Sequence, residues 1–152
     1  MKVAFYKSTS PGISGLFNIL TRFWTRSIYS HCEAVLSDNL SIPAICASSS
    51  HQDGGVRFKS ILLDPTHWDI IEGPDIIQER VGDWFEIHLG DKYDTIGLLS
   101  IFTPIENSRN KWFCSEAIAT AAGYKEGWRL TPATLYDLCL FEGGTLLTWS
   151  IK

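Results

Sequence analysis

Hydrophobic and polar positions alternate at the start of the chain, where "KVAFYK" has the period of two that marks a half-buried strand. "SPG" interrupts it, with Ser10 suited to a helix cap and Pro11 to a first helical position. From Gly12 to Arg26 the residues Ile13, Leu16, Phe17, Ile19, Leu20, Phe23 and Trp24 recur at three and four, which predicts an amphipathic helix. Alternation returns in "SHCEAVL". Extended, that run puts Ser30, Cys32 and Ala34 on one face and His31, Glu33 and Val35 on the other.

The turn "SDN" leads to a strand in "IPAICASSS", the turn "HQDGG" to another in "VRFKSIL", and "HWDIIEG" supplies one more. Ile76, Ile77, Val81, Trp84 and Phe85 then take helical spacing, ended by Gly90. "DKYDTIGLLSIF" is expected to be helical from about Asp94, and Asn107–Lys111 reads as a polar loop. Cys114 opens a helix that runs to about Ala122 and stops at Gly123. Thr131 caps a last short helix with Pro132 in its first position, and the alternating "TLLTWSIK" predicts a closing strand. Strands gathered together with helices on either side predict an α+β fold with an antiparallel sheet. The 152 residues, without repeat or low-complexity linker, suit a single domain over 1–152.

Composition narrows the function classes. An apolar fraction of 45% with 20% charged residues excludes a disordered chain, and six tryptophans belong in a core or along cleft walls. The net charge is −4, with no run of either sign, which argues against a nucleic-acid partner. The densest basic stretch, "TRFWTR" with Arg22 and Arg26, reads as a solvated helix rim. No stretch approaches the roughly 18 apolar residues of a membrane span, and the N-terminal apolar run is too short for a signal peptide. The expected location is the cytoplasm, with no integral membrane segment.

Cysteines stand at 32, 46, 114 and 139, and the absence of CxxC spacing excludes a zinc ribbon or a thioredoxin motif. Cys32, Cys46 and Cys139 lie among apolar neighbours and read as small buried hydrophobes with free thiols. Cys114 differs by standing where a helix begins. A free thiol titrates near ~8.5, and the unpaired amides and dipole of a helix N-terminus favour its thiolate. A buried structural cysteine would fit the same place, so the nucleophile reading needs a base.

His67 and His88 sit beside bulky apolar residues and read as satisfied structural histidines, while His51 lies in a glycine-rich turn. His31 shares a strand face with Glu33, about 6.6 Å away at Cα. A carboxylate there can hold one imidazole nitrogen and leave the other as base, the orienting role of a catalytic third residue. Glu33 equally fits a solvent-facing carboxylate on an edge strand. Ser48 and Ser49, on the next strand, are alternative orienters of the imidazole. Ser115 and Glu116 have the composition of a first helical turn.

Four ordered segments, "SHCEAVL", "ASSSHQDGGVRFKSI", "GDKYDTIGLLSI" and "KWFCSEAIATAAG", resemble the circularly permuted NlpC/P60-like, papain-fold proteins. The likeness is to the YiiX/YaeF-like group and small phage-type relatives, over roughly residues 28 to 136. There a strand histidine in an "SHxE" or "SHxG" setting precedes a cysteine that opens a helix as "CSE", and Gly90, Tyr93 and Asp94 match a G-x-x-Y-D element beside the cleft. The resemblance implies a papain-like core in which the nucleophile helix packs on a small antiparallel sheet carrying the base. It implies thiol hydrolase or acyl-transfer chemistry on amides of cell-wall peptides, or on other amides and esters, lipids included.

Carried over, Cys114 is the nucleophile and His31 the base. The third residue falls on a strand where this chain offers "AICASSS", which leaves Glu33, Ser48 or Ser49. No cofactor and no metal are implied. The expected partner is a peptide, amide or ester in a cleft, in a host cytoplasm or within a virion for a phage protein. Two other functions fit the same chain: a non-catalytic binding or virion-associated module that keeps the fold, and a lipid-directed thiol acyltransferase or esterase suggested by "FWTRSIY". Nothing in the sequence specifies an oligomeric state.

Overall fold

The computed structural model describes residues 1–8, 26–73, 78–95 and 110–151. Each alternating segment becomes a strand: β1 (Lys2–Tyr6), β2 (His31–Val35), β3 (Ala44–Ser50), β4 (Gly55–Ile61) and β5 (Trp68–Glu72). Three two-residue strands join them, β6 (Lys92–Tyr93), β7 (Lys111–Trp112) and β8 (Thr145–Leu146). Among the described residues the α-helices are α1 (Gln78–Ile87), α2 (Cys114–Ala121) and α3 (Pro132–Phe141). The eight strands of the described residues form one sheet in the order β7-β6-β4-β3-β2-β1-β5-β8, antiparallel except for β6 beside β7. The fold is α+β.

Helix boundaries follow local chemistry. The Thr131 side chain accepts the Thr134 N–H and Pro132 follows it, fixing the start of α3. Gly123, at φ +100°, ends α2 in a left-handed conformation that L side chains resist.

The sheet is covered differently on its two faces. Val3, Phe5, Cys32, Ala34, Ala47 and Val56 face a core completed by Val81 and Phe85 of α1, Ala117 and Ile118 of α2, and Leu135 of α3. Ala4, Val35, Ala44, Cys46 and Ile70 face a second cluster with Leu63, Trp68 and the partly buried Trp149. Alternation along β2 therefore sorts Cys32 and Ala34 from Val35, as its pattern predicts.

Two expectations are corrected. The closing segment "TLLTWSIK" pairs only through Thr145 and Leu146, against β5. Beyond them the chain is held differently: the Leu147 N–H donates to the Ile70 carbonyl at 2.8 Å and the Trp149 indole to the Leu63 carbonyl at 2.7 Å. Lys111, read as loop, belongs to β7. The helix expected over Gly12–Arg26 with its Ser10 and Pro11 start, its TRFWTR rim, Ile76 and Ile77, and the helix expected onward from Asp94 lie outside the described residues, apart from Arg26 and Thr95, each in a turn, and Asp94, which follows β6 in no regular element.

One irregularity positions everything that follows. β3 and β4 pair along all seven residues, from Ala44 opposite Ile61 to Ser50 opposite Gly55. β2 and β3 pair only at Ala34 with Ala47 and Val35 with Cys46. Toward His31 the two strands part, and the start of α2 reaches this opening.

Candidate active site

Cys114 is the first residue of α2, after an extended Phe113, and the Glu116 carboxylate accepts the Phe113 N–H. Glu116 is thus helix-start chemistry. The residues just before Cys114 are tied to the sheet. Ser49 Oγ donates to the Trp112 carbonyl at 2.6 Å, and the Asp94 N–H reaches the same oxygen at 3.1 Å. The Trp112 indole donates to Asp91 Oδ2 at 2.9 Å, where His88 Nδ1 also lies at 2.8 Å. His88 stacks on Trp84 at 4.1 Å, so it is a structural histidine, as its apolar neighbours suggest. Gly90, Tyr93 and Asp94 fall in this same tether.

The Cys114 sulfur meets two groups that strand alternation would separate. The Cys32 thiol and backbone N–H on one side and the His31 imidazole on the other act on its ionisation. The opening between β2 and β3 makes this possible, because Cys32 has no ladder partner on β3. On that side its carbonyl accepts from Ser48 Oγ at 2.7 Å instead. The Cys32 hydrogen bonds, together with the His31 charge, hold the Cys114 thiol well below its ordinary pKa against the opposing effect of burial.

His31 Nε2 lies 2.8 Å from Glu33 Oε1, which leaves Nδ1 as the nitrogen available to Cys114. Burial opposes charge on the ring, yet Cys114 and Glu33 on its two sides outweigh it and push the pKa up to about 10. Both shifts run in the direction that favours an imidazolium beside a thiolate.

Glu33 is 1% exposed, so the reading of a solvent-facing carboxylate on an edge strand is corrected. β2 is interior, with β1 and β3 on either side. Burial alone would raise the Glu33 pKa, but hydrogen bonds from Arg57 and His31 bring it below the usual carboxylate value. Arg57 Nη1 donates to Glu33 Oε2 at 2.7 Å and Nη2 to Oε1, a bidentate pair. Arg57 Nε also donates to Asp53 at 2.9 Å, where Lys59 closes the series at 2.9 Å. Charges therefore alternate from Cys114 through His31, Glu33, Arg57 and Asp53 to Lys59.

The sequence-predicted residues Cys114, His31 and Glu33 are brought together. Ser48 and Ser49 are engaged elsewhere, on the Cys32 and Trp112 carbonyls, as braces of the site and not as orienters of the imidazole. Arg57 and Cys32 were missed. Arg57 faces Ser48 in the β3–β4 register, and continuing the β2–β3 register by one residue sets Ser48 across from Glu33. The row Glu33–Ser48–Arg57, with a small middle residue, is the signal that would have found it. All four cysteines are free and buried, so for Cys32 the apolar reading described its environment but not its contact with Cys114. No helix among the described residues is long and apolar enough to cross a membrane. No protein-family model and no curated protein matches the chain.

Proposed function

We propose that this protein is a cysteine-dependent hydrolase or acyltransferase of amides or esters, with a papain-like arrangement of the permuted NlpC/P60 kind. The observation that carries the reading is the Cys114–His31–Glu33 set, in which an activated sulfur at a helix start meets an imidazole held at its far nitrogen by a buried carboxylate. The thiolate attacks a carbonyl carbon, and the backbone N–H of Cys114, at the start of α2, helps hold the developing oxyanion. His31 gives its proton to the leaving amine or alcohol and becomes the base that activates water or another acceptor. Glu33 holds the ring orientation and stabilises its charged form, and Arg57 keeps that carboxylate ionised within the sheet.

The peptide amides of cell walls are the substrate class to test first, on the strength of the sequence resemblance. Purified peptidoglycan, a panel of acyl-peptide amides and a lipid ester are incubated with wild-type protein, Cys114→Ala and His31→Ala. Release of new amine termini by the wild type alone supports amide hydrolysis, and release of fatty acid alone moves the substrate to lipid esters. Equal turnover by wild type and Cys114→Ala would sink the mechanism.

A further inference from the structure

Cys32 has no part in the hydrolytic scheme, yet it lies in the same buried cluster as the nucleophile, and each thiol bears on the ionisation of the other. We infer that Cys32 and Cys114 form a dithiol site that reacts with hydroperoxides, Cys114 as the attacking sulfur and Cys32 as the resolving one. The inference rests on the activated thiol of the proposed function and not on hydrolysis. Both residues are in the same buried cluster, Cys32 on the strand and Cys114 at the helix start that packs over it. Forming a disulfide of about 2.05 Å requires the two sulfurs to close on each other. The parting of β2 from β3 leaves this end of the strand with no ladder on that side to resist the movement.

The chemistry balances. The Cys114 thiolate attacks the outer oxygen of a hydroperoxide, the O–O bond breaks, and the leaving alkoxide takes the proton of the His31 imidazolium. Cys114 is then a sulfenic acid. Cys32 gives up its proton and bonds to the Cys114 sulfur, expelling hydroxide that leaves as water. One peroxide is reduced to an alcohol and two thiols become a disulfide, which an external dithiol can reduce. In the resting state burial and, after it, the charge on Cys114 keep Cys32 protonated; oxidation to the neutral sulfenic acid removes the second of these. Selectivity follows from the other two cysteines, since burial pushes the thiols of Cys46 and Cys139 up, the latter to about 11, away from the reactive thiolate form.

The test exposes the reduced full chain to tert-butyl hydroperoxide, alkylates it without reduction and maps its peptides. The expected result is one linkage joining the Cys32 and Cys114 peptides, reversed by dithiothreitol, with Cys46 and Cys139 still alkylated. In Cys32→Ser and Cys32→Ala, Cys114 accumulates as a sulfenic acid captured by a dimedone probe and proceeds to sulfinic acid. Wild-type protein in which Cys114 reaches sulfinic acid unlinked, as fast as in both variants, overturns the resolving role. So does wild-type Cys114 that resists peroxide while iodoacetamide labels it rapidly. Slow iodoacetamide labelling would remove the activated thiol, and the hydrolase reading with it.

Discussion

Arg57 grips Glu33 through two hydrogen bonds, Nη1 to Oε2 at 2.7 Å and Nη2 to Oε1, from two strands away. A carboxylate with 1% exposure depends on such partners, because removing one side of a buried pair costs about 3–5 kcal/mol. Arg57→Met should therefore destabilise the protein by about 3 kcal/mol in urea denaturation. The double variant Arg57→Met/Glu33→Gln should recover part of that loss, since no buried charge is left unpaired. Strict additivity would show that the pair is not coupled.

The acid side of the stability profile follows from the same pair. The Glu33 pKa is lowered in the folded chain, so its contribution is present above the unfolded value of ~4.3 and is lost as pH falls through the folded one. The stability advantage of wild type over Glu33→Gln should thus be constant from pH 5 to 7 and shrink below about pH 4. An advantage that grows on acidification would contradict the assignment.

Cys114 should alkylate with an unusual pH dependence. A free thiol loses about tenfold in thiolate for each unit below ~8.5. With Cys114 held low by Cys32 and His31, and His31 charged up to about 10, its iodoacetamide rate should stay nearly flat between pH 8 and 6. His31→Ala should restore much of the ordinary slope. A wild-type rate that falls tenfold per unit would remove the ion pair.

Strands β1 to β5, α2, α3 and the Cys114, His31 and Glu33 set were legible because each rests on local signals: alternation, caps, and a cysteine at a helix start. What escaped depends on pairing across strands. Arg57 finds Glu33 only once β4 is known to pair with β3, and Cys32 finds Cys114 only because β2 and β3 separate after Ala34. The burial of Glu33 was misjudged for the same reason. Alternation says that a strand has two faces, but not whether it lies at an edge.

Ser49 should act through the nucleophile's approach rather than through the imidazole. Its 2.6 Å hydrogen bond to the Trp112 carbonyl joins β3 to the residue two places before Cys114. Ser49→Ala should cost about 1 kcal/mol and slow Cys114 alkylation at pH 6 without changing its pH dependence. A shifted pH dependence would mean that Ser49 touches the ionisation itself.

Two adjacent glycines share a positive φ, and a close approach is met at only one of them. Gly54 has φ +84° and open space around it, so Gly54→Ala should cost only the left-handed penalty of about 1 kcal/mol. At Gly55 a Cβ would stand 1.9 Å from the Asp91 carbonyl oxygen, which accepts the Val56 N–H at 2.8 Å. Backbone must move to admit it, and overpacking of that kind costs about 1–3 kcal/mol or more. The damage should also reach the site, because the Asp91 carboxylate holds the Trp112 indole two residues before Cys114. Gly55→Ala is therefore expected to lower stability more than Gly54→Ala in urea denaturation, and to slow Cys114 alkylation where Gly54→Ala leaves it unchanged. Equal effects of the two substitutions on both readouts would mean that the turn, and not the contact between β4 and the Asp91 segment, is what the glycines serve.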